Sequence, residues 1–184
     1  MALLGSSFKI VRHALPLLLA AASLAHAEGP VVDEYQIKAA FLFNFAKFVE
    51  WPAAAFKSVD EPFAICVLGH NPFGSALSDV VQGKTVANRP FIVREVSTIQ
   101  QAGSCHILFV SSSEQRRVRS LMEELRGSTT LTVGETDDFG ANGGVITFKL
   151  KDSRVRITIN PGCAQRAQLR ISSKLLSLAE VEKR

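Results

Sequence analysis

The side chains best suited to chemistry fall into a few groups. Cys66, His70, Cys105 and His106 come first, with Cys163 farther along. Two thiolates and two imidazoles could hold zinc. The C-x-x-x-H and adjacent C-H spacings are not those of a structural zinc site, and neighbours on a strand point to opposite faces. Ser111-Ser112-Ser113 stands at a strand end, where α/β enzymes often place a nucleophile. No G-x-S-x-G elbow accompanies it, and no histidine and acid stand in triad order. With Glu114 it has instead the S-x-x-E spacing of a helix capping box. Gly83-Lys84-Thr85 looks like the end of a phosphate loop, but Ser78 stands where that loop needs glycine, so it reads as a surface turn. Arg116, Arg117 and Arg119, with Arg126 beyond, read as a solvated helix face or a contact for an acidic protein. No aromatic residues interleave to stack bases, which argues against nucleic acid. Binding outranks catalysis, and no catalytic residue, metal or cofactor is assigned.

The elements that must position these residues follow an export signal. Lys9 and Arg12 precede the apolar run Ala14–Ala25 and the A-x-A site Ala25-His26-Ala27. This is a secretory leader, residues 1–27, too short to span a bilayer, which needs ~20 apolar residues. Cleavage after Ala27 leaves residues 28–184 as one domain. The leader holds two of the bases behind the formal net charge of +4 and no acid, so the remainder is nearly neutral. Export to the periplasm removes ATP, GTP and chromosomal DNA as ligands and permits disulfides.

Phe41, Phe45 and Phe48, widened by Ile37, Leu42 and Val49, predict a broadly buried helix over 33–52, ended by Trp51-Pro52. Asn44, Lys47 and Glu50 are the polar residues embedded in it. Lys47 and Glu50 read as a narrow wet edge and Asn44 as satisfying a local hydrogen bond, or all three as the lining of a cleft. Apolar runs at 63–68, 90–96, 106–110 and 131–133 predict strands. Helices are expected from Asn71-Pro72 to about Val81 and from Ser111 to Gly127, with a short turn at 97–103. Alternation over 146–150 and 155–159 predicts a hairpin. Pro161-Gly162 opens a last helical region, whose final helix starts at Ser172-Ser173. The expected fold is α/β and three-layered. It has a mixed, mostly parallel sheet of about five to six strands, helices on both faces and a C-terminal antiparallel hairpin.

In such a sheet the strands near Cys66 and Cys105 can be neighbours. A bridge would close a loop of about 39 residues and contribute roughly 4 kcal/mol on the chain-entropy argument. Two buried free thiols are the alternative. Cys163 is the odd one out, a free thiol or a link between chains.

Several segments together resemble the YfiR family of periplasmic regulators: YQIKAAFLFNFAKFVEWP, FAICVLGHNPFG, CHILFVSSSE, and GGVITFKLKDSRVRITIN followed by LRISSKLLSLAEV. They cover nearly all of the exported chain in order. The resemblance implies a non-enzymatic role, repression of a membrane diguanylate cyclase through its periplasmic sensor region. It also implies an outer-membrane lipoprotein that sequesters the repressor, a homodimer, and a disulfide between Cys66 and Cys105. The competing expectation is a periplasmic small-molecule-binding module serving a sensor kinase or outer-membrane receptor. A secreted hydrolase is third and lacks a triad or metal set. For a partner surface, Asn44 and Lys47 on the first helix and Arg170 and Lys174 in the segment 169–176 are the candidates.

Overall fold

The computed structural model describes residues 34–182, so the leader and the last two residues lie outside the described residues. Helix α1 (Glu34–Phe48) leads into the two-residue strand β1 (Val49–Glu50) and a 3-10 turn at Ala53–Ala55. Then come β2 (Phe63–Leu68), α2 (Ala76–Val81), β3 (Thr85–Val86), β4 (Arg89–Val96), α3 (Ile99–Ala102) and β5 (Ile107–Val110). A 3-10 segment (Ser112–Arg117) enters α4 (Val118–Glu124), followed by β6 (Leu131–Gly134), β7 (Ile146–Lys151) and β8 (Arg154–Ile159). The chain closes through α5 (Pro161–Arg166), β9 (Arg170–Ile171), α6 (Ser173–Leu176) and β10 (Glu180–Val181).

The main sheet runs β3-β4-β2-β5-β6-β7-β8-β10. Its centre, β4-β2-β5-β6-β7, is parallel. The β7–β8 hairpin is antiparallel. Six long strands match the expected count, and β3 and β10 extend the edges by two residues each. Sheets of this kind are covered on both faces. Phe63, Ile65 and Val67 of β2 face the core built by α1, α2, α5 and α6. Ala64, Cys66 and Leu68 face the smaller core under α3 and α4.

Some local expectations are corrected. Helix α1 ends at Phe48, short of Trp51-Pro52, because Val49 and Glu50 pair antiparallel with Ile171 and Arg170. Its buried stripe is Lys38, Ala39, Leu42, Phe45 and Ala46, so Phe41 and Phe48 are only half-buried. Asn71 does not start a helix. Its side-chain oxygen accepts the Phe73 N–H at 2.9 Å, a local turn, and α2 begins at Ala76. Ser111 caps the 3-10 segment through Ser113 N–H, and Glu114 pairs with Arg117 rather than closing a capping box. The capping box forms at Thr98 and Gln101. In the glycine-rich stretch 137–144, Phe139 is fully buried. A Cβ at Gly134 or Gly144 would collide with its ring, so the glycines make room for an anchor.

Candidate functional site

At the carboxyl end of the parallel strands, the chain buries an ion pair that the sequence reading overlooked. Lys38 Nζ lies 2.6 Å from Glu135 Oε2 and 2.6 Å from Glu34 Oε1. The Lys38 and Glu135 side chains are 5% and 7% exposed, so the pair is cut off from water. The Tyr35 hydroxyl donates to the same Glu135 oxygen at 3.3 Å, and the Ser112 N–H donates to the other at 3.2 Å. Burial alone would pull the Lys38 pKa down. Its hydrogen bonds to Glu135 and Glu34 outweigh that and hold it above the ordinary lysine value, so it stays charged. Burial, then the Glu135 charge, raises the Tyr35 pKa. The signal was legible: Lys38 sits at a core position of the α1 stripe, where an isolated cation cannot stay. The pair joins α1 to the end of β6 and the start of the 3-10 segment.

The strand order reverses between β2 and β5, and doubly wound sheets usually bind ligands in the crevice there. Here the crevice is filled. Gly69 has φ +88°, and a Cβ on it would strike Ser113 and Glu114. Ser113 Oγ accepts the His70 N–H at 3.0 Å. The serines chosen for possible chemistry thus cap a helix and close a crevice.

Cys66 and Cys105 form a disulfide with Cα atoms 5.9 Å apart. Cys66 lies mid-strand in β2, and Cys105 ends the turn after α3, its N–H bonded to Ala102 O. Bonded to each other, the two sulfurs offer no thiolates to a metal. Cys163, outside the bridge, is buried on α5, and Arg166 Nη2 donates to its sulfur at 2.9 Å.

The four residues proposed from sequence for a partner surface do not converge on one point. Arg170 Nε is 3.7 Å from Glu50 Oε2 across the β1–β9 pair, both side chains exposed. Lys174 Nζ lies 5.1 Å from the centre of the Phe48 ring. These two share the corner where α1 passes into β1. Lys47 instead lies 5.3 Å from the Phe43 ring, which also receives Lys84 at 4.6 Å. Asn44 is half-buried one turn before Phe48.

At the amino end of the sheet His106 is only 3% exposed. Its Nδ1 accepts the Ala64 N–H at 3.0 Å, so the ring proton sits on Nε2. Nε2 approaches the Ala55 carbonyl without meeting hydrogen-bond geometry. The ring stacks against Phe56 at 4.4 Å and Phe63 at 4.8 Å. Burial depresses its pKa below the usual histidine value; Glu61 opposes that and Arg89 and Arg94 add to it.

A groove of about 680 Å³ opens where the β6–β7 pairing stops, bordered by Arg119, Glu123, Arg126, Thr132, Cys163 and Arg166. Only Val133–Gly134 pair with Ile146–Thr147, and below them Thr132 Oγ accepts the Val145 N–H.

Among curated proteins, none matches the chain at a significant level. Of solved structures, a conserved domain protein from Vibrio cholerae O1 biovar El Tor str. N16961 is similar at 12% identity. Its TM-score is 0.51, with 65% of this chain and 54% of that one covered. An ABC domain in complex with L-Trp from Streptococcus pneumonia has 12% identity, a TM-score of 0.46 and coverages of 65% and 55%. The chain spans little more than half the length of either. The first likeness shows the fold alone. A family model described as YfiR/HmsC-like matches residues 35–180. That span takes in all of α1 but its first residue, the disulfide, the Lys38–Glu135 ion pair, the hairpin and the first residue of β10. The chain belongs to the YfiR/HmsC-like family.

Proposed function

We propose that this protein is a periplasmic repressor. It binds the periplasmic sensor region of an inner-membrane diguanylate cyclase and holds the enzyme inactive, which limits cyclic di-GMP and biofilm formation. An outer-membrane lipoprotein sequesters it, and it acts as a homodimer. The observation that carries this reading is the family match over 35–180, since the family includes regulators of diguanylate cyclases. The disulfide is consistent with an oxidising compartment outside the cytoplasm. No helix among the described residues is long and apolar enough to cross a membrane. The leader assigned to residues 1–27 lies outside the described residues.

The physical mechanism is a population shift. The repressor must bind the inactive cyclase better than the active one, because equal affinity for both shifts nothing. Reduction of the Cys66–Cys105 bridge would loosen the β2–β5 region and release the cyclase. Unchanged fold and cyclase affinity after reduction of the purified protein would remove that part. The corner holding Arg170, Lys174, Phe48 and Glu50 is one candidate contact, with Asn44 and Lys47 alongside on α1. The whole reading is tested by deleting the gene and assaying cyclic di-GMP and surface attachment. Both rise on deletion and return to normal with exported protein; no change on deletion overturns it.

The arginine-bordered groove favours a second reading, a module for a small anionic ligand serving a sensor kinase or outer-membrane receptor. Small molecules co-purifying from the periplasm, lost on Arg126→Ala and Arg166→Ala, would support it.

A further inference from the structure

The β7–β8 hairpin carries a charge pattern that folding alone does not explain. Lys149 stands directly opposite Arg156, and Lys151 directly opposite Arg154. In a strand, alternate residues share a face. All four cations therefore stand on one face of the ribbon, a grid of roughly 5 Å across and 7 Å along. Like charges placed directly opposite each other destabilise a sheet. None of the four makes an ion pair among the described residues. Three are exposed and Lys149 is half-exposed. The nearby acids do not relieve them: Asp152 lies in the two-residue turn, and Glu180 stands opposite Thr158, beyond Arg156. Charges on a free edge also guard it against aggregation; here they stand as four of one sign in directly opposed pairs.

The ribbon is also bare. β6 pairs with β7 only as far as Thr147, and β10 pairs with β8 only at Thr158 and Ile159. The backbone edge of Arg154–Ile157 is thus open to another strand. From these features the geometry points to a docking surface for an acidic, extended segment of a partner protein. Such a segment adds along β8 and presents carboxylates at alternate positions to the four cations. Alternate residues of a strand repeat at about 7 Å, the spacing of the cation rows. An anionic membrane fits less well. Leu150, 59% exposed, projects from the opposite face, beside Val155 packed against the core. The ribbon cannot place both its cations and its apolar side chains in one headgroup layer.

This inference does not depend on the partner being a cyclase. The purified exported protein, uniformly labelled with ¹⁵N, is titrated with a ten-residue peptide alternating Glu and Thr. A Gln-Thr peptide and phosphatidylglycerol vesicles serve as comparisons. Amide shifts are expected to concentrate in 147–158 with the Glu peptide and to vanish with the Gln peptide. The double variant Lys149→Gln/Arg156→Gln should weaken binding by about tenfold or more, as should raised salt. That variant should also melt at or above the wild-type temperature, because it removes a repulsion. Shifts mapping elsewhere, equal binding of the Gln peptide, or vesicles binding through the ribbon while the peptide does not would each overturn the proposal. So would a variant that melts clearly lower. Because no cyclase enters the assay, its failure leaves the repressor reading standing, and failure of that reading leaves this one standing.

Discussion

The two ends of the central sheet bury an ionisable base in opposite ways. At the amino end His106 is kept neutral, stacked on Phe56 and Phe63 and accepting a backbone N–H. At the carboxyl end Lys38 is kept charged and given Glu135 and Glu34 as partners. Neutralisation suits a site that closes: Trp51 Nε1 donates to His106 O, and Arg89 covers Phe56 at 3.9 Å. Pairing suits a site that joins distant segments without sealing the sheet end. Beyond that pair the hairpin runs on uncovered, with cations that have no protein partner among the described residues. One end is spent on stability and the other leaves surface for recognition.

Four perturbations sharpen or break this contrast. The largest effect is expected at the ion pair. Lys38→Met alone leaves a buried carboxylate uncompensated and should cost about 3–5 kcal/mol, measured by urea unfolding. Lys38→Met with Glu135→Leu should recover much of that loss. If the single variant costs under about 1 kcal/mol, the pair is hydrated and the contrast fails. Next, Cys66→Ser/Cys105→Ser should lose roughly 4 kcal/mol, since the bridge closes a 39-residue loop. The bridge is buried, so dithiol reduction of the native protein should be slow and quicken in mild denaturant. Equal rates with and without denaturant would place it in contact with solvent.

Third is the pH dependence of the amino end. Below about pH 6.5 the unfolded chain protonates at His106 while the folded one resists, so the unfolded state binds more protons there. This contribution to stability is fully present above that pH and is lost as pH falls toward the depressed folded value. The slope is at most about 1.4 kcal/mol per pH unit. His106→Phe should flatten the acid limb of the stability–pH curve; an unchanged limb would mean other groups dominate. The smallest effect is at the ribbon, where Lys149→Gln should stabilise by about 0.2–1 kcal/mol. A loss of stability there would erase the distinction between the two ends.

Much of the fold was legible because its signals are local. Apolar runs marked β2, β4, β5 and β6, and strict alternation marked the hairpin. Asn160 and Ser172 cap α5 and α6 as such residues do. Pieces fixed by distant partners were not legible. β1 exists only because β9 lies beside it, which is why α1 was read four residues too long. Lys38 was passed over because its partner is 97 positions away, although its place on the apolar stripe was visible. The cation ladder needed the hairpin register, which depends on the turn falling at Asp152-Ser153, both with positive φ. The cysteines could be proposed as neighbours from the strand pattern, and the resemblance made the bridge specific.

The most direct measurement is cyclic di-GMP in a deletion strain complemented with the exported wild-type protein or with Lys149→Gln/Arg156→Gln. The account predicts a rise on deletion and full reversal by wild type; the variant, at equal periplasmic abundance, reads whether the ribbon's partner is the cyclase. No rise on deletion, or no reversal by the exported wild-type protein, would contradict the repressor reading.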